Sequence, residues 1–141
     1  MSASDDRSKG SLIELPHEEC VALLGSTTVG RLAFVDADGQ QLIPVNFTVM
    51  DEKIYFRTSR DGILAGLAGG HEDIAFGVDH QDVFRDGWNV TVRGSVAAVT
   101  DEAIVETVVS HTRLHPWAGG DRPLVMAIEP RTIDGRRVKG H

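Results

Sequence analysis

The 141-residue chain has a single cysteine, Cys20, so no internal disulfide can form and no cysteine pair is present to hold zinc. Disulfide-stapled secreted domains are thereby set aside, and a cytoplasmic protein is the simplest expectation. Long apolar runs are also missing. No stretch approaches the ~18 residues that a transmembrane helix needs. The opening MSASDDRSKGS lacks an apolar core, so it is not expected to be a secretory signal. Residues 1–11 read as a flexible tail, followed by one domain over residues 12–141. Positive charge is scarce, with 14 Lys and Arg against 21 Asp and Glu and a net charge of −7. Neither nucleic acid nor an anionic membrane is expected as a partner, because phosphate surfaces are bound by basic ones. The usual catalytic signatures are absent: no P-loop, no G-x-G-x-x-G, no G-x-S-x-G elbow. Any catalysis would therefore draw its reactivity from a bound cofactor.

What is present points to β structure. In TVGRLAFVDADGQQLIPVNFTVMDEKIYFRTS, three β-rich runs (29–35, 41–50 and 53–58) are separated by DADGQ and MDEK. Asp-Gly is a hairpin turn signal, so the segment reads as an antiparallel meander. Further strands are expected over 73–79, 88–100 and 123–134, with Gly94 marking a bulge or tight bend. Helices are expected over 15–26, where Pro16 suits the first turn, and over 100–113, where Thr100 can cap. A short one is expected within DGILAGLAGG, weakened by Gly66 and ended by Gly69 and Gly70. Six strands with few, peripheral helices make a mainly β fold, a small β-barrel.

Several places could carry chemistry, each with an ordinary structural reading beside it. Arg57, Thr58, Ser59 and Arg60 follow a strand and precede a helix start. Guanidinium forks and hydroxyls can bind phosphate, but a solvated turn has the same composition. Pro44 interrupts the ladder of its strand, and Asn46 offers an amide donor and acceptor to a heterocycle edge or to a turn. Trp88 could stack on a ring, anchor an interface or fill the core. His111 and His115 are four apart, but Pro116 follows and no glutamate lies between them, so a metal site is not expected. Cys20 has no evident basic neighbour and reads as packing.

The order LLGSTTVGRLAF, IPVNF, IYFRTSRDG, AFGVDHQD, GWNVTVRGSV and IDGRRV resembles the pyridoxamine 5′-phosphate oxidase-like flavin-binding proteins, nearest the small actinobacterial type beside the nitroimidazole-resistance branch. The likeness spans residues 12–138. It implies a split β-barrel, a homodimer, and FMN in a groove between subunits. By position, Arg57, Thr58 and Ser59 would face the flavin phosphate and ribityl chain, with Arg60 in support. Pro44, Val45 and Asn46 would line the ring edge, partly through backbone groups. Trp88 and Asn89 of the partner subunit would close the groove, and Gly30, Arg31, Arg136 and Arg137 are weaker candidates. Relatives often carry a lysine just after the glycine of the RTSRDG turn, where this chain has Ile63 and Leu64. Loss of that cation from a charged site costs about 1.5–3 kcal/mol, ten- to a hundredfold in affinity. Weak FMN binding, deazaflavin F420 or another ligand are the alternatives this opens. The resemblance implies a flavin-dependent oxidoreductase moving hydride to or from a small organic molecule; the alternative is a non-enzymatic flavin, F420 or haem carrier or sensor. Pyridoxal phosphate synthesis is not expected, because no second basic cluster clearly supplies a substrate phosphate site.

Overall fold

The alternation read from the sequence becomes a ring of strands in the computed structural model, which describes residues 11–83, 86–111 and 123–139. In β2 (Val29–Asp36), Gly30, Leu32 and Phe34 point inward; in β4 (Lys53–Thr58), Ile54, Phe56 and Thr58 do. In β5 (His71–Gln81) the inward set is Ile74, Phe76 and Val78, and in β6 (Gly87–Ala98) it is Val90, Val92 and Val96. With β3 (Gly39–Met50) and β7 (Leu124–Lys139), these strands bond antiparallel in the order β7-β4-β3-β2-β5-β6. Because β6 also pairs with β7, the ring closes, as the small-barrel expectation required. Closure leaves these strands no unpaired sheet edge. At the centre, Phe47 and Phe76 meet edge to face, with ring centroids 5.0 Å apart.

The turns follow their residues. Gly39 takes φ 111° after Asp36, whose carboxylate accepts the Asp38 amide at 2.8 Å. Asp51 and Glu52 both have positive φ, 51° and 60°, which gives the tight β3–β4 hairpin the twist its strands need. Gly94 does mark an irregularity. Arg93 is opposite Thr132 but Gly94 is opposite Pro130, so Arg131 is an extra residue in β7. A Cβ at Gly94 would overlap the Glu129 carbonyl.

Other expectations are corrected. A strand β1 (Ser11–Glu14) was not anticipated; it pairs with Arg136–Lys139 of β7, which runs well past the expected end at 134. The first helix, α1, spans His17–Gly25 and buries Cys20 and Leu24 against the barrel. DGILAGLAGG yields only a five-residue 3₁₀ turn, Ile63–Leu67, which anchors Leu64 and Leu67 in the core. The second helix, α2 (Glu102–Ser110), is capped by Asp101 rather than Thr100, the Asp101 carboxylate accepting from the Ala103 and Ile104 amides. The expected end of that helix at 113, and His115 with Pro116, lie outside the described residues.

Helix α2 lies on the outside of the barrel. Val108, with Ile104, Val105 and Val109, covers Tyr55 and Val125 on the outward face of β4 and β7. The outer face of β2, β5 and β6 carries no such helix among the described residues.

Candidate functional site

Strand register decides which of the expected site residues meet. Phe47 of β3 faces Phe56 of β4, both inward, and Thr48 faces Tyr55, both outward. The next residues along the two strands are Asn46 and Arg57, both half-buried and on the outward side. Asn46 is in turn opposite Val29 of β2, and Pro44 is opposite Arg31. Arg57, Asn46 and Pro44 therefore sit along one border. On one side is the surface beneath α2; on the other is the bare outer face of β2, β5 and β6. Val45 points into the core at 6% exposure, so only its backbone can reach that border.

Where β4 ends, the chain turns through Ser59, Arg60, Asp61 and Gly62. Thr58 is the one buried polar residue among those described, at 4% exposure. A Cβ placed on Gly62 would lie 3.2 Å from Ser59 Oγ and 3.9 Å from Thr58 Oγ1. Two hydroxyls thus gather beside a backbone position that carries no side chain. Arg60 and Asp61 are exposed, and Ile63 stands at the rim with 56% of its surface in solvent. Hydroxyls near bare backbone suit an anion, and Arg57 stands one residue earlier on the outward side of the strand. The expected contribution of a helix start is small, because a single 3₁₀ turn has little dipole.

The bare face is floored by small residues. Ala33 is opposite Leu42 on one side and Ala75 on the other; Arg31 is opposite Gly77. A groove of about 260 Å³ runs over this floor, bounded by Arg31, Leu42, Asp79 and Asn89. Leu42 and Val35 are 66% and 60% exposed, a surplus of apolar surface for an outward strand face. Its arginines carry aspartate partners: Arg31–Asp79 at 3.5 Å, Arg93–Asp134 at 2.9 Å and Arg131–Asp73 at 3.3 Å. Charge is thereby held close to neutral across the face.

Trp88 and Asn89 are not brought to this border within one subunit, because β2 and β5 separate β6 from β3. As neighbours on a strand they point to opposite faces. Trp88 packs against the core, its ring 6.2 Å from that of His80, while Asn89 is exposed on the outer face opposite Asp79 and Arg136. Of the weaker candidates, Gly30 is fixed by packing: a Cβ there would overlap the Phe76 ring. Arg137 reaches Glu19 of α1 at 3.6 Å, and Arg136 is exposed on β7. Cys20 is fully buried, and burial first, then the Asp134 and Glu19 charges, push its thiol up from the ordinary 9.0. It is a packing group, as expected. Gly62 and Ile63 were met in the sequence as the place of a missing lysine, whereas the Ala33–Ala75–Gly77 floor escaped the sequence reading. The available signal was the run of small residues at every second position of β5, Ala75 and Gly77.

Comparison with known proteins bears on the family and the fold. The profile of the family described as pyridoxamine 5′-phosphate oxidase matches residues 16–137. The uncharacterized protein Rv0080 of Mycobacterium tuberculosis is 32% identical over 138 residues, which is 94% of this chain and 89% of that protein. A FAD-binding protein of Mycobacterium smegmatis whose structure is solved is 29% identical with a TM-score of 0.75, over 92% of this chain and 99% of the other. A FAD-binding protein of Mesorhizobium loti, 18% identical with a TM-score of 0.74 over 92% and 98% of the two chains, shares the fold. The ring of strands is the expected split β-barrel, and the chain belongs to the pyridoxamine 5′-phosphate oxidase-like family of flavin-binding proteins.

Proposed function

We propose that the chain is a homodimeric, cytoplasmic oxidoreductase that holds a flavin nucleotide at the border between its helix-covered and bare outer faces. One observation carries the reading: beyond the last β3–β4 pair, Phe47 and Phe56, the next residues of the two strands are Asn46 and Arg57, and β4 then runs into the hydroxyls of Thr58 and Ser59 beside Gly62. These residues fit the parts of a flavin nucleotide. The hydroxyls and the Arg57 guanidinium would take a phosphate, with Arg60 as a second, solvent-facing cation. Asn46 would offer an amide to the polar edge of the ring, and Pro44 with the Val45 backbone would support its apolar side. Bound flavin supplies hydride or electron transfer at its ring. The chain's own groups at this border are amide, hydroxyl and guanidinium, which bind and orient.

The second subunit enters through the bare face. Ala33, Ala75, Leu42 and Val35 give it an apolar, close-approach surface, and near-neutral charge lets two copies approach without repulsion. A partner docked there would bring its own Asn89 and the β6 end near Trp88 toward the border. A small organic substrate would lie between the ring and that partner. FMN and F420 are the nucleotides the sequence suggests, and the 29%-identical M. smegmatis relative is a FAD-binding protein.

The test is an absorption spectrum of purified protein, then titration with FMN, FAD and F420, wild type against Arg57→Ala. Saturable binding weakened at least about tenfold in the variant is expected, the loss of one charged hydrogen bond. Equal affinity in both proteins, or no binding of any of the three, overturns the assignment. Oxidation of the reduced, bound flavin by small acceptors separates an oxidoreductase from a carrier or sensor, which would bind without turnover.

A further inference from the structure

From the charges and the exposed side chain at the cradle's rim we infer that Ile63 is a specificity residue, selecting a flavin dinucleotide over the mononucleotide; this rests on the proposed cradle. Residues 57–63 contain Arg57, Arg60 and Asp61, a net charge of +1. A phosphate monoester such as that of FMN carries roughly −1.5 to −2 near neutral pH. In a dinucleotide, each bridging phosphate carries a single negative charge and so matches that site better.

Among the described residues no lysine stands beside it. The chain has only Lys9, Lys53 and Lys139. Lys53 is engaged with Glu129 at 3.1 Å at the other end of β4, and Lys139 is on β7 beyond Arg137. Lys9 lies outside the described residues. The Arg31 guanidinium is held toward Asp79, on the far side of Pro44.

The rim itself is apolar. Ile63 directly follows Gly62, and its neighbour Leu64 turns into the core at 9% exposure while Ile63 stays 56% exposed. An isoleucine beside an anion cradle gives a charged phosphate nothing. It gives a flat apolar group, such as the adenine of a dinucleotide leaving the cradle, a surface to cover. A monoester phosphate ends at the cradle and cannot use that surface.

The experiment is flavin-fluorescence titration of the full-length protein with FAD, FMN and riboflavin, for wild type, Ile63→Ser and Ile63→Lys. Wild type is expected to bind FAD at least about tenfold more tightly than FMN, a difference of ~1.4 kcal/mol. Ile63→Ser should lose FAD affinity and leave FMN unchanged. Ile63→Lys should raise FMN affinity by supplying the second charge, so the two ligands converge. Because Ile63 is exposed, both variants should melt with the wild type. Equal binding of FAD and FMN by wild type, or an unaltered ratio in both variants, overturns the inference while sparing the cradle. Failure of all three flavins to bind overturns the cradle and the inference together.

Discussion

Gly62→Ala separates the site from the fold in one substitution. Gly62 has φ −85° and ψ 171°, an extended conformation open to any residue. Replacing glycine there removes unfolded-state freedom and stabilises by about 0.4–1 kcal/mol. Against this, the new methyl would stand 3.2 Å from Ser59 Oγ, close enough that the hydroxyl must shift by a few tenths of an ångström. Turning a half-exposed serine costs roughly 0.5–1 kcal/mol, so the two effects nearly cancel. The melting temperature should therefore stay within about 3 °C of wild type. Ligand binding has no such compensation. The methyl fills the space between the Ser59 and Thr58 hydroxyls, and one hydrogen bond to an anion is lost. That is worth ~1.5–3 kcal/mol, a ten- to hundredfold rise in Kd. Thermal melting and a flavin titration on the same preparation check both halves. A variant that melts with wild type and binds with unchanged Kd would refute the hydroxyl cradle.

Three further outcomes test the fold and its titration. Gly94→Ala should destabilise by about 2–4 kcal/mol in urea unfolding, since its methyl would press on the Glu129 backbone carbonyl and not on a movable side chain. Asp101→Ala should cost about 1 kcal/mol by freeing the Ala103 and Ile104 amides at the start of α2, with Asn at the same position restoring most of it. Cys20 should resist alkylation in the native protein and react fully in denaturant. Its folded thiol titrates above the ordinary 9.0, so the stability this contributes is complete below that pH and is lost as pH climbs through the folded value. A thiol that reacts natively at pH 8 at the denatured rate would contradict the burial.

The barrel was legible because its inward residues alternate so regularly: Leu32 and Phe34, Ile54 and Phe56, Val90 and Val92. The Asp38-Gly39 turn fixed the first hairpin. Where reading failed, tertiary contacts overrode local chemistry. The last strand was expected to end at 134, yet β7 continues through Gly135 to Lys139, and at Gly135 Cys20 and the Asn89 carbonyl take the space a side chain would fill. Asp101 outcompetes Thr100 as cap by one position, a boundary that side-chain oxygens of similar reach leave open. The candidate site was named residue by residue, but its assembly could not be read. Arg57 and Asn46 lie on the two strands of one expected hairpin, but only the β3–β4 register, which ends at Phe47 and Phe56, tells that both follow on the outward side. Trp88 and Asn89 lie across the barrel, a separation that no local pattern encodes.

The pairing of β1 with the end of β7 has a kinetic consequence. Leu12 is opposite Val138, and the same β7 also supplies partners to β4 and β6. Every ring-closing contact therefore waits for the last strand to leave the ribosome. Until then, β2 to β6 form an open curl with two raw edges and an uncovered core. Such long-range closure is slow, milliseconds to seconds in domains of this kind. The nascent chain should thus be a good client for a holding chaperone, and truncations that remove β7 should aggregate rather than fold to a smaller barrel.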